Sequence, residues 1–135
     1  MRFSTLLAAI AHCLLASAGL AAEHTQDSLT TVQQNLAEKK ALLVDVREVK
    51  EWDKAHLAQA QLLPLSQLKK AATDPAVLAQ VKSKLPKGHI VYCHCAKGVR
   101  AVMAGNLLEK LGYDVRPLSA GFEDLLAAGF AAAKP

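Results

Sequence analysis

The residues best suited to chemistry lie in one short segment, which runs from Cys95 to Arg100 and contains a thiol, a lysine and an arginine. An apolar run at 90–93 precedes this segment, and a pattern typical of a helix follows it. Thiolate is the reactive form of cysteine, and it is stabilised by cationic side chains and by the N–H groups at a helix N-terminus. Lys97 and Arg100 supply the charge, and Gly98 can adopt the backbone conformation that lets successive N–H groups converge. The segment therefore predicts an activated thiol inside an anion-binding turn.

Two neighbours of Cys95 leave alternatives open. Cys93 shares a face with Cys95 if the strand continues, so it could attack a sulfur carried by Cys95 or simply fill the core. A disulfide between them would close a very small ring and constrain almost nothing, so we expect chemical rather than structural thiols. His94 would point to the opposite face, where it could tune Cys95 or only pack. We predict no metal site, because this stretch lacks a second pair of ligands.

Apolar runs and amphipathic patterns alternate along the chain and indicate how this segment is positioned. We predict strands at 41–46, 62–65, 90–93 and 115–118, with helical patterns between them and Ser66 placed to cap the helix after the second strand. Such alternation favours an α/β fold with a mostly parallel central sheet and helices on both faces. Ligands of such sheets bind beyond the carboxyl ends of strands, which is where Cys95 falls.

The first 21 residues have the pattern of a secretory signal peptide. Arg2 is the only charged residue before Glu23, an apolar stretch spans 6–20, and small residues surround the expected cleavage point. The alternative is an uncleaved anchor, but the apolar stretch is shorter than the roughly 20 residues of a spanning helix. We therefore predict a signal peptide at 1–21, a single domain at 22–135 and a periplasmic or secreted protein with no membrane association after cleavage.

Composition narrows the classes of partner. The chain is 52% hydrophobic, enough for a core, and its net charge of +4 is spread among acidic residues. Neither a basic stripe for nucleic acid nor a basic amphipathic helix for a membrane surface is present in the sequence. Residues 23–28 are polar and are expected to form a loose lead-in to the domain.

Three stretches together resemble a known family. The six residues from Cys95 to Arg100 resemble an active-site loop, and residues 43–48 with the following Trp52 and His56 resemble a first motif. Residues 118–122 with 128–130 resemble a closing segment. In this order and spacing the stretches resemble the rhodanese (sulfurtransferase) family, over roughly residues 28–130.

The resemblance implies a rhodanese-like fold and a covalent reaction. Cys95 would attack the outer sulfur of a small anionic donor such as thiosulfate, and a thiol or cyanide would then accept that sulfur from the Cys95 persulfide. The residues that would bind substrate are the rest of the loop: Ala96, Lys97, Gly98, Val99 and Arg100. Lys97 and Arg100 would hold the oxygens of the donor, and the loop amides would stabilise the persulfide.

Structural support is the role that the resemblance implies for Asp45, Arg47 and Glu51, and we expect Arg47 to pair with Glu51. It implies no cofactor and no nucleic-acid partner. We expect a monomer that meets a small donor and acceptor, with a protein sulfur acceptor as a further possibility.

Alternative functions stay open at this stage. The chain could be a non-catalytic sulfur carrier, or a thiol-redox module that uses Cys93 and Cys95. Related phosphatases carry a loop one residue longer, whereas here Arg100 lies five positions after Cys95. The shorter loop resembles the branch that transfers sulfur.

Overall fold

Four parallel strands form the central sheet of the computed structural model, which describes residues 21–135. The predicted signal peptide lies outside the described residues, apart from Ala21. The strands are β1 (Ala41–Asp45), β2 (Ala60–Leu62), β3 (Ile90–His94) and β4 (Asp114–Pro117). The helices are α1 (Leu29–Ala37), α2 (Val49–Lys54), α3 (Leu65–Ala71), α4 (Pro75–Lys84), α5 (Val99–Lys110) and α6 (Phe122–Ala127).

The order of the strands places the ends of β1 and β3 side by side. The strand order in the sheet is β2-β1-β3-β4. From β1 the chain passes to β2 at one edge, then returns to the other side of β1 to form β3 and β4. In the register of β1 and β3, Asp45 lies opposite His94, the last residue of β3. A reversal of this kind leaves a crevice at the carboxyl ends of the two strands, and ligands bind there in open α/β sheets. Cys95 follows His94 directly.

Helices cover both faces of the sheet, which confirms the predicted architecture. On one face, α3, α4 and α5 pack on strand residues that include Val44, Val91 and Cys93. On the other face, α1 and α6 pack on Leu43 and Tyr92. The central strands β1 and β3 are buried at nearly every position, as a sheet covered on both faces requires. Each hydrophobic cluster fixes the strands whose ends carry the site.

The second strand differs from its prediction. We expected 62–65, but β2 ends at Leu62, because Pro64 has no N–H to continue the ladder. The N–H groups of Leu63 and Leu65 still bond to the carbonyls of Asp45 and Val46 at 2.9 and 3.0 Å. Ser66 is therefore already inside α3, and its hydroxyl donates to Glu48 at 2.7 Å instead of capping the helix.

Side-chain caps explain where two other helices begin. Ser28 accepts a hydrogen bond from the Thr31 N–H, and Asp74 accepts from two N–H groups of α4, with Pro75 at the first helical position. None of the helices between residues 21 and 135 has the length and apolarity that crossing a bilayer requires.

Candidate active site

Cys95 lies in the turn between β3 and α5, and its sulfur accepts a hydrogen bond from the backbone. The Gly98 N–H donates to Cys95 Sγ at 3.0 Å, and only 1% of Cys95 is exposed. Gly98 is in the left-handed conformation, with φ 98°, and occupies the N-cap position of α5. A residue with a Cβ adopts this conformation only with strain, so the glycine lets the turn aim its N–H at the sulfur. The arrangement stabilises negative charge on that sulfur.

The closing segment supports the turn from the other side. The Phe122 N–H donates to the Cys95 carbonyl at 2.9 Å. Gly121 lies so close to the turn that a Cβ there would be 1.7 Å from the Ala96 carbonyl oxygen. The sequence placed Gly121 in a closing motif but did not show that it contacts the cysteine turn. The signal was the glycine itself, which marks a close backbone approach.

Arg100 is held by an acidic residue from another helix. Its guanidinium donates to the Glu51 carboxylate at 2.6 and 2.8 Å, in a two-pronged pair. These hydrogen bonds from Arg100, opposed by partial burial and reinforced by the Glu48 N–H, lower the pKa of Glu51 to about 2. They also raise the pKa of Arg100. The predicted donor-binding residue thus has a carboxylate partner within the protein.

The pairing expected for Arg47 was wrong. Arg47 donates to Asp45 at 2.8 Å and to the Ala55 carbonyl at 2.8 Å, and its guanidinium lies 4.2 Å from the centre of the Phe122 ring. Asp45 is fully buried and lies two residues before Arg47, at the end of β1. It therefore forms the ion pair with Arg47 that we had predicted for Glu51. Glu51 is thereby left to pair with Arg100.

The remaining loop residues lie in the same turn. Lys97 is exposed, and no ion pair with it occurs in the described part of the chain. Val99 is 70% exposed at the start of α5, and Ala96 is half-buried. The structure therefore places all six predicted residues in the turn that carries Cys95 and at the start of α5, with Lys97 as the cation that faces solvent.

Cys93 is part of the core. It is completely buried in the cluster beneath α5, and burial, with a smaller contribution from Cys95, raises the pKa of its thiol to about 12. Both cysteines are free thiols. Of the two roles considered for Cys93, the environment favours packing, because a thiol that stays protonated is a poor nucleophile.

His94 is fully buried next to Cys95 in the chain, and its ring makes no hydrogen bond to the Cys95 sulfur. Its Nδ1 lies 3.4 Å from the Cys95 carbonyl oxygen, and its Nε2 lies 3.7 Å from Asp45 Oδ2. Burial lowers the pKa of His94, and the nearby Asp45 carboxylate only partly opposes this effect. The imidazole therefore acts on the backbone that carries Cys95, not on the thiol.

Residues 23–28 make more contacts with the rest of the domain than the sequence suggested. We expected a loose lead-in, but His24 Nε2 lies 2.9 Å from the Gly98 carbonyl oxygen, within the cysteine turn. An isolated histidine in a polar segment gave no signal for this contact.

Between residues 21 and 135 we find no cluster of three His, Cys, Asp or Glu side chains that could hold a metal ion.

Comparisons with known proteins agree with this fold. Residues 28–128 match the family model of the rhodanese-like domain. The chain is 33% identical over 97 residues to the uncharacterized protein YqhL of Bacillus subtilis, covering 71% of this chain and 69% of that protein. It is 29% identical over 87 residues to "Putative sulfur carrier protein YrkF" of the same organism, covering 64% of this chain but only 42% of YrkF. The human single-domain sulfurtransferase TSTD1 is similar in structure, with a TM-score of 0.58, 26% identity and coverage of 81% of this chain and 97% of that one.

Proposed function

The chain belongs to the rhodanese-like domain family, and on that premise we propose that it transfers sulfane sulfur from a small anionic donor such as thiosulfate to cyanide or a thiol. The observation that carries the proposal is the hydrogen bond from the Gly98 N–H to Cys95 Sγ, inside a loop that places Arg100 five positions after the cysteine. A single N–H aimed at the sulfur stabilises the thiolate before reaction and the persulfide after it.

The first half of the reaction charges the cysteine. The Cys95 thiolate attacks the outer sulfur of thiosulfate, a bond forms between the two sulfurs, and the sulfur–sulfur bond of the donor breaks. Sulfite leaves with the electron pair, and Cys95 carries a persulfide anion. Lys97 is the exposed cation of the loop and attracts the donor, whereas the charge of Arg100 is offset by its ion pair with Glu51.

The second half returns the enzyme to its starting state. Cyanide, or the thiolate of an acceptor, attacks the outer sulfur of the persulfide, and the Cys95 thiolate leaves. No redox cofactor or metal takes part in this scheme, because the sulfur changes partners while charge and electrons stay balanced. The two halves form a double displacement through one covalent intermediate.

The test is thiocyanate formation from thiosulfate and cyanide by the purified protein. We expect turnover by the wild-type chain and none by Cys95→Ser, with Cys93→Ala as the matched control that keeps activity. Hydrolysis of a phosphate ester, measured in parallel, tests the related phosphatase chemistry, and we expect none. Failure of the wild-type protein to form a persulfide with thiosulfate or any other sulfane donor would overturn the proposal.

A sulfur carrier is the second candidate, and one observation favours it. The Glu51 carboxylate already occupies the Arg100 guanidinium in two hydrogen bonds, which leaves Lys97 to attract a small donor. A chain that binds small donors weakly could still receive sulfur from a protein and pass it on. A stable persulfide on Cys95, together with cyanide turnover no faster than the uncatalysed reaction, would favour the carrier over the enzyme.

We propose, finally, that residues 1–21 direct the chain out of the cytoplasm and are then removed, leaving a monomeric periplasmic or secreted domain of residues 22–135. The support is the charged start, apolar stretch and small residues near the cleavage point. N-terminal sequencing of the exported protein tests the cleavage bond, and an intact N-terminus in the purified protein would contradict it. Size-exclusion chromatography tests the monomer.

A further inference from the structure

The segment 22–27, here called the N-terminal arm, is attached to the elements around the cysteine turn. The Ala22 N–H donates to Asn106 Oδ1, on α5, at 2.7 Å. The Thr25 N–H donates to the carbonyl of Pro117, the last residue of β4, at 2.8 Å. The arm thus runs from α5 to the carboxyl end of β4. Cys95 lies at this same edge of the sheet, directly after the carboxyl end of β3.

A small residue on α5 makes room for the start of the arm. A Cβ at Gly105 would lie 3.1 Å from the Ala22 Cβ and 2.7 Å from Pro117 Cγ. Ala22 is only 6% exposed as a result. The start of the arm is therefore packed against the helix that follows the cysteine turn.

The far end of the arm is fixed as well. Asp27 accepts hydrogen bonds from the Tyr92 hydroxyl at 2.7 Å and from Arg116 at 2.9 Å. These two hydrogen bonds, with that of Tyr92 the larger contribution, lower the pKa of Asp27. Both ends of the arm are thus held, and His24 lies between them.

His24 contacts the residue that activates the sulfur. Its Nε2 lies 2.9 Å from the Gly98 carbonyl oxygen, and because a carbonyl only accepts, Nε2 carries the proton. A Cβ on Gly98 would lie 3.0 Å from the same nitrogen, so the ring packs directly on the glycine. The N–H of Gly98 is the group that donates to Cys95 Sγ. His24 therefore holds, through the carbonyl, the left-handed residue whose N–H faces the sulfur.

We infer that His24 is a positioning residue for the cysteine turn: by fixing the Gly98 carbonyl, it keeps the Gly98 N–H on the Cys95 sulfur. The arm precedes residues 28–128, the part that matches the family model, so this support is additional to the shared domain. The consequence for sulfur transfer rests on the proposed function. The consequence for the thiol does not, because it concerns the state of Cys95 alone.

The test compares His24→Ala with His24→Gln in the full chain. Glutamine places an amide N–H near the position of the imidazole Nε2, so it can still donate to Gly98, whereas alanine cannot. Gln26→Ala is the control, because Gln26 is an exposed residue of the same arm. Two rates are measured at neutral pH: alkylation of Cys95 by iodoacetamide, and persulfide formation on Cys95 with thiosulfate.

We expect His24→Ala to slow both reactions by about two- to fivefold, because one hydrogen bond to the turn is lost and less thiolate is present. We expect His24→Gln and Gln26→Ala to stay close to the wild type. Unchanged alkylation in His24→Ala would overturn the inference, and so would a glutamine variant as slow as the alanine variant. If the wild type forms no persulfide but His24→Ala still slows alkylation, the proposed function fails and the positioning role stands.

Discussion

Glu51 and Arg100 join the first turns of α2 and α5, through hydrogen bonds of 2.6 and 2.8 Å between residues 49 positions apart. Glu51 also accepts the Glu48 N–H at 2.9 Å, so one carboxylate caps the start of α2 and restrains α5. This ion pair matters for function because Arg100 is one of the two cationic residues of the cysteine loop. Its position is set by α2.

We expect Glu51→Gln to lower the free energy of unfolding at neutral pH by about 1 kcal/mol, since both partners are roughly one-third exposed. The pKa of Glu51 is lowered to about 2, so the stabilisation is fully present above about pH 4.5, the value in an unfolded chain, and disappears as the pH falls toward 2. Urea unfolding at several pH values measures this. A variant whose stability falls as steeply with acid as that of the wild type would contradict the assignment.

Two glycine substitutions separate lack of space from backbone strain. At Gly121 the backbone φ is ordinary, but an added Cβ would lie 1.7 Å from the Ala96 carbonyl oxygen. At Gly88 there is space for a Cβ, but φ is 91°, in the left-handed region. We expect Gly88→Ala to cost about 1 kcal/mol of stability and leave Cys95 reactivity unchanged. We expect Gly121→Ala to cost about 3 kcal/mol and also to slow alkylation of Cys95. Equal behaviour of the two variants, measured by thermal unfolding and alkylation, would rule out the proposed contact.

The two cysteines should differ sharply in reactivity. Burial raises the pKa of Cys93 to about 12, so iodoacetamide at neutral pH should label Cys95 at least about tenfold faster. Cys93→Ala should cost about 1 kcal/mol of core packing and leave persulfide formation within about twofold of the wild type. Peptide mapping by mass spectrometry measures the labelling. Equal loss of activity in Cys93→Ala and Cys95→Ser would instead support a dithiol redox module.

The burial of His94 should make the free energy of unfolding depend on pH near neutrality. Burial lowers the pKa of His94, so below about pH 6.5 the unfolded chain binds a proton that the folded chain does not. Stability should therefore fall as the pH drops through about 6.5, and it should fall less in His94→Gln. Should that variant not fold, the imidazole resonances of wild-type His94 give the same information. A His94 that titrates in the folded protein at or above about pH 6.5, the value of the unfolded chain, would contradict this prediction.

Periodicity was enough to predict the sheet, the helices on both faces and the place of Cys95 at the end of β3, because these follow from local patterns of apolar residues. The partners of Arg47 and Arg100 could not be predicted in this way. Asp45 and Glu51 both lie near Arg47 in the chain, and the direction in which α2 leaves β1 decides which carboxylate faces which arginine.

Local sequence patterns also could not predict which distant residues contact the cysteine turn. Gly121 meets Ala96 only because α6 returns to the sheet edge, and His24 meets Gly98 only because the arm packs on α5 and β4. Residues 60–66 show a smaller effect, since one proline ended a strand that hydrophobicity alone would have extended.

Mass spectrometry of the wild-type protein after treatment with thiosulfate tests the central claim most directly. The account predicts an added mass of about 32 Da, the mass of one sulfur, located on Cys95, absent from Cys95→Ser and removed by cyanide. It also predicts that Cys93→Ala gains the same mass on Cys95. A wild-type protein that stays unmodified with thiosulfate and with other sulfane donors, or that carries the added sulfur on Cys93, would contradict the account.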